Sequence, residues 1–239
     1  MKTRRKPFLQ PYPPTIALVT GASRGIGAAI ARALAGLGLD LILTSTRKGG
    51  TRGTAEECRG HGIEVLELAH DAGSRADADR VVAAAIKRFG QVDILINNAG
   101  QVIRKPVVKM SDDDFDDVLR TNLSGPFYLT RRLLPGMVKR GLGRIINISS
   151  ISATLGSENH TGYCASKWGL DGFTKALAEE TRGTGVLVCS VLPGSVDTQM
   201  LKGSGFPPMM GAWEVADVVR YLAFEAPLAL HGGRVEVFG

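Results

Sequence analysis

Three side chains near the middle of this 239-residue chain could together move a proton. Tyr163 and Lys167 lie four residues apart, and Ser150 precedes the tyrosine by thirteen. On a helix, positions i and i+4 share a face, separated by about 6 Å along the axis. A free tyrosine has a pKa near 10, too high for acid–base work at neutral pH. A neighbouring ammonium favours the phenolate and draws that pKa toward the range where proton transfer is efficient. A serine hydroxyl beside them could hydrogen-bond a carbonyl oxygen and aim it at the phenol. Tyrosine–lysine pairs at this spacing are common, so the elements that would carry these groups must decide.

From Thr15 onward, short apolar runs alternate with longer amphipathic segments. Residues 16–20, 39–44, 65–68, 92–96, 144–148 and 186–192 read as buried strands. Residues 25–37, 51–61, 74–89, 111–140, 162–182 and 213–224 read as helices. Near-continuous Val/Ile/Leu strands separated by helices predict a parallel sheet covered on both faces. The expected fold is therefore α/β: one doubly wound domain over residues 15–239, of Rossmann type with about seven strands. Ser111 followed by Asp112, Asp113 and Asp114 reads as an N-cap with carboxylates at the positive end of a helix dipole, not as a metal site.

Bulk composition narrows the function classes. The formal charge is +6, but Lys2, Arg4, Arg5 and Lys6 supply four of the 29 basic residues, leaving 25 against 23 acidic ones. That balance does not describe a nucleic-acid-binding surface. Residues 1–14 form a basic, proline-rich tail, expected to be poorly ordered, without the apolar core of a secretory signal. No apolar run reaches the roughly 18–20 residues that span a bilayer, so no membrane partner is expected. Cys58, Cys164 and Cys189 lack CxxC spacing, and neither a disulfide framework nor a metal site follows. Reduced cysteines in a cytoplasmic protein are the expectation.

The remaining motifs fall where strands end. After the first strand comes Thr20-Gly21-Ala22-Ser23-Arg24-Gly25-Ile26-Gly27, a turn whose glycines would let a pyrophosphate approach the amides of a helix N-terminus. The fourth strand ends in Asn97-Asn98-Ala99-Gly100, the fifth in Ile148-Ser149-Ser150, and the sixth in Pro193-Gly194-Ser195-Val196-Asp197-Thr198. Asn122 lies inside the long helix expected over 111–140. Ligands of open α/β sheets bind at this carboxyl edge.

In these motifs, their order and their spacing, the sequence from Thr15 to Gly239 resembles the short-chain dehydrogenase/reductase family, and most nearly its 3-oxoacyl-(acyl-carrier-protein) reductases. The resemblance implies that Tyr163 protonates the substrate oxygen as a hydride arrives from a nicotinamide, while Ser150 hydrogen-bonds the same oxygen. It implies that Lys167 lowers the tyrosine pKa and holds the nicotinamide ribose, and that Asn122 anchors a water leading to Lys167. Ser149 is the rival of Ser150, and the thirteen-residue offset favours Ser150. The cofactor would meet Gly21, Ser23, Arg24, Gly25, Ile26, Gly27, Asn98, Ala99, Gly100, Pro193, Gly194, Val196 and Thr198, with Asp71 and Ala72 at the adenine.

NADP(H) is expected over NAD(H). The second strand ends Thr44-Ser45-Thr46-Arg47-Lys48 without a carboxylate to accept ribose hydroxyls and repel a phosphate. Asp40 lies about 17 Å away at roughly 3.4 Å per residue. Arg24, Thr46 and Arg47 offer charge and hydroxyl for a 2′-phosphate.

The expected substrate is a small-molecule carbonyl, by resemblance a 3-oxoacyl thioester linked to an acyl carrier. The alternatives are a sugar, polyol or steroid alcohol dehydrogenase and a cofactor-binding regulatory protein. Residues 200–212 read equally as a lid or as a subunit contact. The resemblance further implies a homotetramer or homodimer. The C-terminus, Gly232-Gly233-Arg234-Val235-Glu236-Val237-Phe238-Gly239, departs from the family's aspartate-glycine-glycine ending.

Overall fold

A computed structural model describes residues 15–239; the basic tail lies outside the described residues. Seven strands form one sheet: β1 (Ile16–Val19), β2 (Asp40–Ser45), β3 (Val65–Ala69), β4 (Ile94–Asn97), β5 (Gly143–Ile148), β6 (Val186–Pro193) and β7 (Arg234–Val237). Every pairing is parallel, and the order is β3-β2-β1-β4-β5-β6-β7. The expected doubly wound sheet is what forms.

The helices are α1 (Gly25–Ala35), α2 (Arg52–Arg59), α3 (Arg75–Phe89), α4 (Asp112–Leu119), α5 (Gly125–Arg140), α6 (Thr161–Glu180) and α7 (Ala212–Phe224). Alternation along each strand divides them into two layers, because successive side chains leave a strand on opposite faces. Ala17, Val19, Leu41 and Leu43 pack with Ile30 and Leu34 of α1 and with Val215 and Val219 of α7. Ile16, Leu18 and Ile42 face the other way, onto Val81 of α3, Leu129 and Leu133 of α5 and Leu177 of α6. Among the described residues no helix is long and apolar enough to cross a membrane. The three cysteines are free.

Two local features place the chemistry. The direction in which strands are added reverses between β1 and β4, which are adjacent and parallel although β2 and β3 intervene in sequence. The helices that follow these two strands lie on opposite faces, so a crevice opens at their carboxyl ends.

The second feature corrects an expectation. Residues 111–140 do not form one helix: a π-helical turn, Arg120–Ser124, separates α4 from α5. Pro126, in the first turn of α5, has no N–H to donate to the carbonyl of Asn122 four residues earlier, so the regular ladder cannot run through. Gly125 sits where a Cβ would lie 2.6 Å from the Ala72 carbonyl oxygen. The start of α4 is as expected: Ser111 accepts from the Asp114 amide while the Asp114 carboxylate accepts from the Ser111 amide, a capping box.

Candidate active site

At the carboxyl edge lies a cavity of about 560 Å³, running from the β1–α1 turn past the ends of β2, β3 and β4 to the start of α6. The turn is shaped by steric necessity. Gly21 has φ +65°, and a Cβ there would stand 2.9 Å from the Ala99 Cα; a Cβ on Gly27 would stand 2.4 Å from the Gly21 oxygen. Thr20 clamps the turn to the next strand over: its hydroxyl oxygen accepts from the amides of Asn98 and Ala99, both at 2.9 Å, and donates to the Ile96 carbonyl. The Asn98 side-chain amide donates to the carbonyls of Thr20 (2.8 Å) and Gly21 (3.2 Å). The amides of Gly25, Ile26 and Gly27 have no partner within their own first turn, and no acidic side chain occupies that turn. This is an anion cradle, walled by Ser23 and the exposed Arg24.

The two asparagines ending β4 divide the work. Asn97 is buried and donates to Asn147 on β5 (2.8 Å), which in turn donates to Thr174 on α6 (2.8 Å). This buried chain of amides ties the strand of the cofactor end to the helix of the proton-transfer end.

Ser45 and Thr46 line the cavity where β2 ends, and Asp71 and Ala72 where β3 ends. No carboxylate stands at the β2 end; Asp40, at the far end of that strand, accepts from the Glu64 amide. The Asp71 carboxylate accepts from the Gly73 amide at 2.9 Å. Some expected cofactor residues stand apart. Arg47, Pro193, Gly194 and Val196 do not line the cavity. Arg47 is on an exposed loop. The Gly194 amide donates to Val237, and Val196 is buried against Met210 in a strand-like bridge. Of that segment only Thr198 reaches the cavity, beside α1, where a Cβ on Gly25 would meet its methyl at 3.2 Å.

The proton-transfer groups converge. Tyr163, in the first turn of α6, is half-buried at the cavity wall, with the Ser150 hydroxyl close enough to favour its phenolate. Ser150 lies just behind that wall and also accepts from the Ser152 amide. Ser149, the alternative, donates instead to the Lys167 carbonyl at 3.4 Å. The Lys167 ammonium is buried, donates to the Ile148 carbonyl at 2.8 Å and lies 5.6 Å from the Tyr163 ring centroid. Asn122, in the π turn, is buried outside the cavity. Its amide donates to the Gln101 carbonyl and to Ser166, and its oxygen accepts from the Gln101 amide. The wide turn is what points it there. Gly100 leaves the gap between them: a Cβ there would lie 3.3 Å from the Asn122 oxygen and 3.8 Å from the Lys167 nitrogen.

One electrostatic expectation is corrected. Burial raises the Tyr163 pKa above its usual value, against the opposing effects of the Ser150 hydrogen bond and the Arg104 charge. Lys167 does not overcome this. Burial lowers its own pKa to about 8, with the Asp171 carboxylate opposing. Desolvation is the largest influence on both groups, and Tyr163 is held as a protonated phenol.

Several lining residues carried no motif: Ser45, His70, Gln101, Val102, Arg104, Thr121, Gln199 and Met200. His70 is buried with its Nδ1 3.2 Å from the Thr44 hydroxyl, and burial lowers its pKa. Arg104 donates to His160 at 3.0 Å and to the Met200 carbonyl at 2.6 Å, linking the loop after β4 to the segment after β6. Contacts between distant loops of this kind leave no signal in local spacing.

Comparison with known proteins gives a consistent result. The family model described as short chain dehydrogenase matches residues 15–205. The 3-oxoacyl-[acyl-carrier-protein] reductase FabG of Pseudomonas aeruginosa is 39% identical over 240 residues, covering 94% of this chain and 96% of that protein. Its counterpart from Escherichia coli is 36% identical over 236 residues, with 94% and 96% covered. Among solved structures, a tryptophan-substituted actinorhodin polyketide ketoreductase crystallised with NADPH superimposes with a TM-score of 0.89 at 35% identity, covering 95% of this chain and 96% of that one.

Proposed function

The chain belongs to the short-chain dehydrogenase family and is an NAD(P)-dependent oxidoreductase, and on that premise we propose that it uses NADPH to reduce the 3-oxo group of an acyl thioester to a hydroxyl. The observation that carries this reading is the placing of the Ser150 hydroxyl beside a Tyr163 phenol, whose proton burial retains, on the edge that holds the bare glycine turn. A stored proton beside a carbonyl-orienting hydroxyl suits reduction.

The residues present fit a dinucleotide. The contacts a Cβ would make at Gly21 and Gly27 mark a turn kept bare for close approach, and the free amides of α1 suit a pyrophosphate. Arg24, Ser45 and Thr46, with no carboxylate among them, would hold a 2′-phosphate; Asp71 and Ala72 would border the adenine, and Lys167 would grip the nicotinamide ribose. When bound, the reduced nicotinamide supplies the hydride that the carbonyl carbon accepts.

This chain's own groups handle the oxygen. Ser150 and Tyr163 hydrogen-bond it and fix the carbonyl in line. As negative charge develops there, Tyr163 transfers its phenolic proton, so that hydride and proton together convert C=O to CH–OH. The Lys167 ammonium stabilises the resulting phenolate, and a water held by Asn122 would return the proton. An acyl-carrier-linked 3-oxoacyl thioester is the substrate that the relatives' names favour. The reading includes a cytoplasmic homodimer or homotetramer, which light scattering checks. The deciding experiment follows NADPH absorbance with a 3-oxoacyl thioester, a sugar ketone and a steroid ketone, each repeated with NADH. Efficient turnover of the thioester with NADPH is expected. Preference for NADH, or for the sugar or steroid, would overturn the reading.

A further inference from the structure

The C-terminal departure from the family pattern has a structural counterpart. Arg234 opens β7, the edge strand, yet its side chain reaches inward between two catalytic elements. Its Nε lies 2.7 Å from Asp171 on α6, and its Nη2 donates to the Thr154 hydroxyl (2.8 Å) and the Ala153 carbonyl (3.3 Å), in the turn that follows Ser150. Asp171 sits one helical turn beyond Lys167 and two beyond Tyr163, so all three share a face of α6. The Asp171 side chain is only 8% exposed. Neither of its oxygens receives an aligned hydrogen bond, so the Arg234 contact is an ion pair without hydrogen-bond geometry.

We propose that Arg234 and Asp171 are positioning residues for the reaction: Arg234 locks the Ser150 turn to the helix bearing Tyr163, and the pair sets how strongly the Asp171 carboxylate acts on Lys167. The charges around Lys167 are few. Tyr163 and Asp171 face it from α6, and the π turn and β5 contribute only the neutral Asn122 amide and the Ile148 carbonyl. Arg104 acts on Tyr163 from the loop after β4. Among the described residues Asp171 is thus the acid favouring the charged form of a lysine that burial pushes toward neutrality. Arg234 in turn neutralises part of that acid's field. Without the pair, Asp171 would be a nearly buried, uncompensated charge, an arrangement proteins avoid.

The inference rests on the proposed reading for its functional consequence, and the test separates the two. Lysine labelled with carbon-13 at Cε allows Lys167 to be titrated directly by NMR in the full chain, its resonance assigned by its loss in Lys167→Arg. Asp171→Asn should lower the Lys167 titration by about one pH unit, and Arg234→Met, which unmasks the acid, should raise it. Arg234→Lys, which keeps the charge, should stay near the wild-type value. In parallel, NADPH affinity should fail at lower pH in Asp171→Asn and persist to higher pH in Arg234→Met. Shifts in the same direction, or none, would overturn the proposal, because a merely structural role would cost stability without opposite titration shifts. If Arg234→Met does not fold, the near-isosteric Asp171→Asn decides alone, and an unmoved Lys167 there is fatal. Opposite NMR shifts in a protein that reduces no 3-oxoacyl thioester would sink the substrate reading and leave the charge coupling standing.

Discussion

The Lys167 ammonium donates to the Ile148 carbonyl at 2.8 Å, which anchors a buried cation to the strand that delivers Ser150 two residues later. One helix residue and one strand residue therefore hold the hydroxyl and the ammonium at a set separation. Tyr163, one turn earlier on α6, completes the group beside Ser150. The chemistry depends on the docking of α6 against β5.

Replacing the phenol isolates proton delivery. Tyr163→Phe keeps the ring and removes only the hydroxyl, so kcat/KM should fall by about 10²–10⁴-fold, the usual worth of a positioned general acid. The NADPH dissociation constant, measured by fluorescence, should change little. Substantial residual turnover would place the proton source elsewhere.

Lys167 should make cofactor binding pH-dependent. Burial lowers its pKa to about 8, so the ammonium predominates below that value and is lost as pH rises through it. If only the cation holds the ribose, affinity should weaken by about tenfold per pH unit well above 8, since binding is linked to one proton. Isothermal titration across pH 6–10 checks this, and Lys167→Met should abolish the dependence.

The glycine cradle leaves no room for a methyl group. At Gly27 a Cβ would lie 2.4 Å from the Gly21 oxygen, a backbone atom that cannot swing aside. Gly27→Ala should cost about 1–3 kcal/mol of stability by overpacking and displace the turn from phosphate. Thermal melts without NADPH should show the loss, and added NADPH should restore less stability than in the wild type.

Cofactor choice should reside in Arg24 and Thr46. Arg24 is exposed at the cradle and carries no capping hydrogen bond, so removing its charge leaves the helix start intact. Arg24→Ser should reduce the NADPH-to-NADH ratio of kcat/KM by about tenfold or more, the worth of a charge-assisted phosphate contact. Equal losses with both cofactors would show that Arg24 does not read the 2′-phosphate.

Much of this was legible because the decisive signals are local. A strand followed by Gly21, Gly25 and Gly27 can hardly be other than a bare turn into a helix, and Val/Ile/Leu runs separated by amphipathic segments require a sheet covered on both faces. The π turn was missed although its cause, Pro126, stands in the sequence, because helical periodicity continues through residues 111–140. Arg47, expected at the cofactor from its place after β2, stands on an exposed loop and does not line the cavity.

What the amino-acid sequence determined alone is which candidate groups share one edge of the sheet, since motif spacing and strand patterning act over a few residues. Tertiary structure decided their state. Whether Tyr163 is poised as phenol or phenolate depends on how far α6 packing excludes water, and the direction proved to be upward. Whether Ser149 or Ser150 meets the phenol depends on which carbonyl the neighbouring hydroxyl finds, and Ser149 finds Lys167. The pairing of Arg234 with Asp171, 63 positions apart, exists only because β7 joins the sheet beside β6 and under α6. Desolvation and long-range contact belong to the packed chain, and no local spacing encodes them.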